Sequence, residues 1–342
     1  MRISQFLASF LVLSISLITV PVLLSQQVPS VKLIHSVDLP GYSGDFDHFA
    51  VDYDRNRLLL AAEDHGTLEV FDLKTSAHLR SVEGFGNPHS ILVRKGSPTV
   101  LITDSEKQGA TLRDAESYAK KQSVVLTPGS DTSKYDAAAN VLYVVTGGKD
   151  VEMKTANLEA IDPDTGAKLG SITFQDNHVE AMAFVEDDPR LFINLAQTNK
   201  IAVVNRKTFK LIATWTVTPA KQNAMVAFDP AQHRLYVVCR DPGMVVVMNS
   251  DTGAVVGTLP APLRSDEVQY DPDTHRLYVP GGEGYMSIYD TSDADHLKLF
   301  EKVNTAPGAK TGLLIPPLHR LFLAVSPGES KATAKVLTYE VD

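Results

Sequence analysis

A short apolar block recurs along this chain at nearly constant spacing, and that regularity constrains the fold more than any other feature. It reads Arg57-Leu58-Leu59-Leu60, Asn140-Val141-Leu142-Tyr143-Val144, Arg190-Leu191-Phe192-Ile193, Arg234-Leu235-Tyr236-Val237, Arg276-Leu277-Tyr278-Val279 and Arg320-Leu321-Phe322-Leu323, with a weaker copy at Thr99-Val100-Leu101-Ile102. The aligned apolar positions stand at 58, 100, 142, 191, 235, 277 and 321, giving intervals of 42, 42, 49, 44, 42 and 44 residues. A period near 44 residues suits four short antiparallel strands per repeat, the unit of a β-propeller blade.

Each repeat has the same internal grammar. An apolar strand such as Met225-Val226-Ala227-Phe228 leads through a turn (Asp229-Pro230-Ala231-Gln232-His233) into the recurring block. A polar or Gly-rich hairpin follows, then a third strand such as Met244–Met248, a tight turn such as Asn249–Gly253 or Asp162–Gly166, and a more polar strand such as Leu211–Val217. β-Branched and aromatic runs bounded by Asp, Pro, Asn and Gly are the residue types of strands and their turns. The seventh repeat stops at Asp342 after its third strand, Lys335–Val341, while Val31–Leu39 resembles the outer strand Lys210–Trp215. The expected architecture is therefore an all-β, seven-bladed propeller over residues 28–342, its last blade completed by the N-terminal strand. Such pairing leaves no open edge at the seam.

The aromatic residues Tyr143, Phe192, Tyr236, Tyr278 and Phe322 recur at one repeat position and are expected in the core between blades. His233, His275 and His319 precede the repeated arginine and are expected to serve the turn rather than a site.

Composition narrows the function classes. The chain has 342 residues, 32 basic against 41 acidic, a net charge of −9 and one cysteine, Cys239. A single thiol excludes an internal disulfide framework and any cysteine-based metal cluster. The acidic balance argues against a broad nucleic-acid or anionic-membrane surface. Residues 1–25 carry Arg2 as their only charge, then an apolar run from Phe6 to Val20 and Pro21, which reads as a secretory signal peptide and a periplasmic or secreted location. The alternative for this segment is an uncleaved anchor; no later stretch is apolar enough to span a bilayer.

Leu142-Tyr143-Val144-Val145-Thr146-Gly147-Gly148 and the paired Leu-Tyr-Val blocks resemble the repeats of secreted bacterial YVTN (YncE-like) β-propellers. The likeness runs over roughly Val31 to Asp342 and is weakest around Lys107–Tyr118. The resemblance implies seven blades and export but no single activity, because fold is not function.

In a propeller the innermost strands line a central channel, and their first residues open on one face. Those positions hold His48, His89, Asp131, Lys134, Glu180, Asn223, Asp266, Glu267 and Lys310, where an ordinary core strand would carry Val or Ile. These residues are expected to bind a small polar ligand or a partner loop by hydrogen bonding and charge complementarity. A metal-assisted hydrolase or lactonase is the alternative, with Glu180, Asn223 and Asp266 as ligands and His178 or Glu267 as base; their oxygen donors favour calcium over zinc as the cofactor. A second alternative is a protein-interaction scaffold using rim hairpins at Glu63-Asp64-His65, Gly147-Gly148-Lys149 and Arg240-Asp241-Pro242. Gly281-Gly282-Glu283-Gly284 lacks the Lys-Ser/Thr of a phosphate loop and reads as a hairpin.

Overall fold

The computed structural model describes residues 30–107, 109–328 and 333–342; the expected leader at 1–25 lies outside them. Among the described residues, twenty-eight strands, β1 to β28, form seven four-stranded antiparallel sheets. From blade 1 to blade 7 the innermost strands are β2 (Phe49–Asp52), β6 (Pro88–Val93), β10 (Ser133–Asp136), β14 (Val179–Ala183), β18 (Lys221–Asp229), β22 (Gln269–Asp271) and β26 (Ala309–Ile315). The second strands are β3 (Arg57–Ala62), β7 (Thr99–Asp104), β11 (Val141–Gly147), β15 (Arg190–Leu195), β19 (Arg234–Asp241), β23 (Arg276–Gly281) and β27 (Arg320–Val325), so the recurring block is the second strand of every blade. β1 (Val31–Leu39) pairs with β28 (Ala334–Val341) from Val31↔Val341 to Leu39↔Ala334, closing the last blade as expected.

Alternation along these second strands builds the core. Successive strand residues point to opposite faces of a sheet, and in a ring of sheets each face meets a different neighbour. Leu191 packs into the cluster between blades 3 and 4, whereas the next residue, Phe192, packs into the cluster between blades 4 and 5. Leu235 and Tyr236 divide in the same way, as do Leu277 and Tyr278, and Leu321 and Phe322. The buried apolar residues form seven clusters, one at each junction between adjoining blades. Each large side chain removed from water there contributes about 1.5–3 kcal/mol.

The arginine that opens the block is a splint. Arg57 reaches the Ala115 carbonyl and Glu116 of blade 2, Arg190 reaches Asp251 of blade 5, and Arg234 reaches Asp295 of blade 6. Arg320 closes the circle by donating to the Lys74 carbonyl of blade 1 at 3.1 Å. Because the carboxylate partners are half-exposed or more, these pairs add little energy individually and mainly fix how blades abut. The residue two before the block's leucine adopts the left-handed conformation: φ is 52° at Asn56 and Asn140, and 54°, 52° and 50° at His233, His275 and His319. Asn and His tolerate that region better than branched residues. The three histidines are thus turn residues.

Trp215 is also structural. Its ring lies 5.9 Å from Phe192 and covers the Asn249–Gly253 turn of blade 5, where a Cβ on Gly253 (φ 74°) would fall 2.1 Å from the indole. The Gly281–Gly284 segment is a hairpin between β23 and the following strand, with φ 100° at Gly284.

Replacing Phe192 with Ala removes a fully buried ring that meets Phe228 edge-on at 5.0 Å across the blade 4–5 junction. The expected cost is about 3–5 kcal/mol, read as a lower midpoint in urea unfolding.

Candidate functional site

A cavity of about 420 Å³ opens at one end of the channel, on the face where the innermost strands begin and the hairpins between second and third strands turn. Every blade contributes. Asp45, Asp47, His48 and Glu63 come from blade 1, His89 from blade 2, Asp131 from blade 3, Glu180 from blade 4, Arg240 from blade 5, Asp266 from blade 6 and Lys310 from blade 7. Seven carboxylates line it (Asp45, Asp47, Glu63, Asp131, Asp150, Glu180 and Asp266) against four Lys and Arg side chains (Lys149, Arg240, Arg264 and Lys310), so the wall is acidic overall.

The backbone fixes where these groups stand. Ladder bonds continue past β2 and β3: Asp47 N–H donates to the Ala61 carbonyl at 3.0 Å, and Ala61 N–H to the His48 carbonyl at 3.1 Å. The Asp64 carboxylate accepts from Asp45 N–H at 2.7 Å and ties the hairpin carrying Glu63 to the loop carrying Asp47. In blade 3, Asp131 N–H donates to the Val145 carbonyl at 3.0 Å.

The charges divide into two halves. On one side runs an alternating chain: His178 contacts Glu180 at 2.6 Å, Arg240 donates to Glu180 at 2.9 Å and also pairs with Asp266, and Lys310 bridges Asp266 at 2.6 Å and Asp45 at 3.0 Å. Each acid in this chain has a cation on it. Burial alone would raise Glu180, but the hydrogen bond from His178 and the Arg240 charge hold it below its usual range. Burial would likewise lower Lys310, and the Asp266 and Asp45 carboxylates reverse that, leaving it strongly raised.

The other half holds Asp47, Glu63 and Asp131 around two histidines. His89 Nδ1 lies 2.6 Å from Asp47 Oδ2 and 3.5 Å from Asp131 Oδ1, and His48 Nε2 lies 3.5 Å from Asp47 Oδ1. Burial works against a charge on His89, yet the hydrogen bond to Asp47 and the surrounding carboxylates push it up to about 10. Burial and the Asp47 charge push Glu63 up to about 8. Asp131 is raised by burial, against the opposing pull of His89. Asp47 is held down: His48 and His89 together outweigh its burial.

The residues expected from sequence are distributed unevenly. His48, His89, Asp131, Glu180, Asp266 and Lys310 do line the cavity. Lys134 does not; it lies deeper, in a second cavity of about 240 Å³ along the channel that it shares with His48. Glu267 stands behind His48, its Oε2 4.0 Å from His48 Nδ1. Asn223 is not brought to the cavity at all. It is fully buried, its Nδ2 donating to Asn194 Oδ1 at 2.7 Å and to the Lys200 carbonyl at 2.9 Å, which makes it a strut from blade 5 to blade 4. Consequently the Glu180, Asn223 and Asp266 set is not assembled as a metal site, since Asn223 is elsewhere and Arg240 sits between the two acids. Among the described residues the groups with metal-ligand spacing are Asp47, His48 and Asp131, and Asp47, Glu63 and His89, with donor atoms within 4.8 Å of one another in each.

Glu63, Lys149 and Arg240, assigned from sequence to rim hairpins, turn into this same cavity. The signal for them was topological: the hairpin after each second strand opens on the face where the innermost strand begins. His65 stays outside, its ring stacked on Tyr42 at 4.1 Å.

Fold and cavity together define a seven-bladed β-propeller with a charged chamber at one mouth of its channel. No protein-family model matches the chain, and no curated protein matches it. Among solved structures it is similar to a chain described under "Crystal Structure of Mitotic Checkpoint Complex", with a TM-score of 0.72 and 15% identity over 98% of this chain and 99% of that one. At that identity the likeness shows the architecture alone.

Glu267 supplies a pH test. Its burial outweighs the nearby His48 charge and pushes it up to about 7 from a usual 4.5. Between those values the folded chain holds a proton that the unfolded chain has released, so stability falls as pH rises through the window. In wild-type protein this contributes a decline in melting temperature from pH 4.5 to 7; Glu267→Gln is expected to flatten that part of the profile and to be the more stable of the two at pH 7, by on the order of 1 kcal/mol.

Proposed function

We propose that the chain is a binding module that takes a small polar ligand with a positively charged end at the channel mouth. The observation that carries this reading is the unequal partition of charge in the cavity. The acids of blades 4, 6 and 7-to-1 are matched by Arg240 and Lys310, whereas Asp47, Glu63 and Asp131 share two histidines. A cationic group entering beside Asp131 relieves that crowding, and the alternating chain opposite offers donors and acceptors to the rest of the ligand. A cavity of about 420 Å³ is of the size that small-molecule sites have.

This reading goes with two finer proposals: that the protein is an exported one, on the charge-poor apolar segment at 6–20, and that it is of the YVTN, YncE-like type, on its Leu-Tyr-Val blocks. A mature N-terminus beginning just after Ser25 in protein recovered from the periplasm or medium supports the first; an intact Met1 in that fraction sinks cleavage.

Binding is tested by thermal shift with small ammonium and guanidinium compounds. A ligand at 100 times its Kd stabilises by about 2.7 kcal/mol. The Asp131 side chain is 41% exposed, so Asp131→Asn is expected to fold normally and to weaken the shift-producing ligand at least about tenfold, roughly 1.4 kcal/mol. A panel that leaves the wild-type melt unmoved, or binding that Asp131→Asn leaves intact, overturns the reading.

A further inference from the structure

The acidic half of the cavity has a feature that an ammonium-binding wall does not require: an imidazole whose ligating nitrogen is chosen by its surroundings. Ser105 Oγ donates its proton to Asn87 Oδ1 at 2.8 Å. Its lone pairs are therefore what His89 Nε2 meets at 3.1 Å, so Nε2 carries a hydrogen and donates it. That leaves Nδ1 as the nitrogen facing the carboxylates, 2.6 Å from Asp47 Oδ2. A histidine held through its far nitrogen by a hydroxyl, itself anchored by an amide, is the arrangement that orients a metal-binding imidazole.

The donors around Nδ1 complete the argument. The ligand atoms of Asp47, Glu63 and His89 lie within 4.8 Å of one another. An ion with bonds of about 2.0–2.2 Å needs its donors about 3.3 Å apart, so side-chain adjustments suffice, including an opening of the 2.6 Å Asp47–His89 contact as the ion enters. Glu63 sits on the hairpin that Asp64 ties to the Asp45–Asp47 loop, and His89 is on β6 and 8% exposed, so two elements of the frame hold the donors before any ion arrives. In the ion's absence, the short Asp47–His89 contact requires a hydrogen on Nδ1; a cation takes that hydrogen's place, and the proton leaves to solvent. The opposite half of the cavity offers nothing comparable, because Arg240 and Lys310 already lie on its acids.

We propose that Asp47, Glu63 and His89 hold one divalent first-row transition ion of zinc or manganese type. One imidazole nitrogen with two carboxylates suits such ions better than calcium, which takes oxygen ligands in larger number. Asp131, 3.5 Å from the same His89 nitrogen, adds negative charge beside the ion. The inference rests on the binding-module reading of this cavity and specifies the cation that its acidic wall takes.

The test is calorimetric titration of Zn(II) and Mn(II) into the full chain after stripping with chelator. Expected are one ion per chain and a raised melting temperature on loading. Glu63→Gln and His89→Gln should each weaken binding at least tenfold. Ser105→Ala, which leaves every donor in place, should weaken it about tenfold through loss of imidazole orientation. His233→Asn, at an exposed turn, should bind as wild type and thereby exclude adventitious uptake by surface histidines. Absence of uptake by folded wild-type chain overturns the inference, as does stoichiometric uptake that both Glu63→Gln and Ser105→Ala leave within twofold. Should His89→Gln not fold, those two variants decide alone. If an ammonium compound binds where neither metal does, the metal assignment fails and the binding-module reading stands; if a metal is taken up and no ammonium compound binds, the metal assignment stands and the organic-ligand reading fails; if none binds, both fail.

Discussion

The whole structure depends on strand alternation being read out by two different neighbours. In a flat two-layer sandwich, one face of a strand meets the core and the other meets water. Here both faces of the inner strands are covered, because each sheet stands between two others. Leu191 and Phe192, adjacent in sequence, serve junctions on opposite sides of one blade. The repeated Leu-aromatic pair is the local expression of that constraint: a smaller residue faces the blade before and an aromatic ring the blade after. Wedges of side chain at seven junctions set the angle between sheets and therefore the number of sheets that closes the circle.

Closure imposes the second condition. A ring of separate sheets is only as secure as its seam, and the seam here is antiparallel pairing between the two ends of the described chain, with side chains of Val31 and Leu39 buried beside it. Arg320 reaching Lys74 performs at this seam what Arg57, Arg190 and Arg234 perform at theirs. The seam is thus built like the other junctions, with a pairing of chain ends added.

The channel mouth is the geometric consequence. Seven strand starts converge at one end, so side chains far apart in sequence become hydrogen-bonding neighbours: Asp47 with His89 from the next blade, and Lys310 of the last blade with Asp45 of the first. Low dielectric surroundings make the arrangement sensitive to where each charge stands. On the Arg240 side, acids and bases alternate and satisfy one another. On the Glu63 side, acids outnumber what the histidines match, and burial, with the neighbouring carboxylates adding to it, drives the Glu63 and Asp131 carboxyls upward. That imbalance, rather than the presence of acids as such, distinguishes the two halves of the cavity.

Sequence by itself determined the blade number, the strand order within each blade, the completion of the last blade by Val31–Leu39 and the face on which polar strand starts gather. All of these follow from periods of 2 and of about 44 residues, which are properties of the chain. It also marked His233, His275 and His319 as turn residues, since all three stand at one repeat position just ahead of the repeated arginine. Tertiary structure alone decided which of the polar starts reach the cavity. Asn223 and His89 both lie near the starts of innermost strands and beside register shifts, yet Asn223 is buried in a hydrogen bond with Asn194 of the neighbouring blade, while His89 meets Asp47 at the open mouth. Likewise Glu63, Lys149 and Arg240 belong to hairpins that look like rim in one dimension and bend over the channel in three. The reason is physical: periodicity fixes which way a side chain leaves its own sheet, but what it meets there is set by the radius of the ring and the tilt of sheets contributed from elsewhere in the chain.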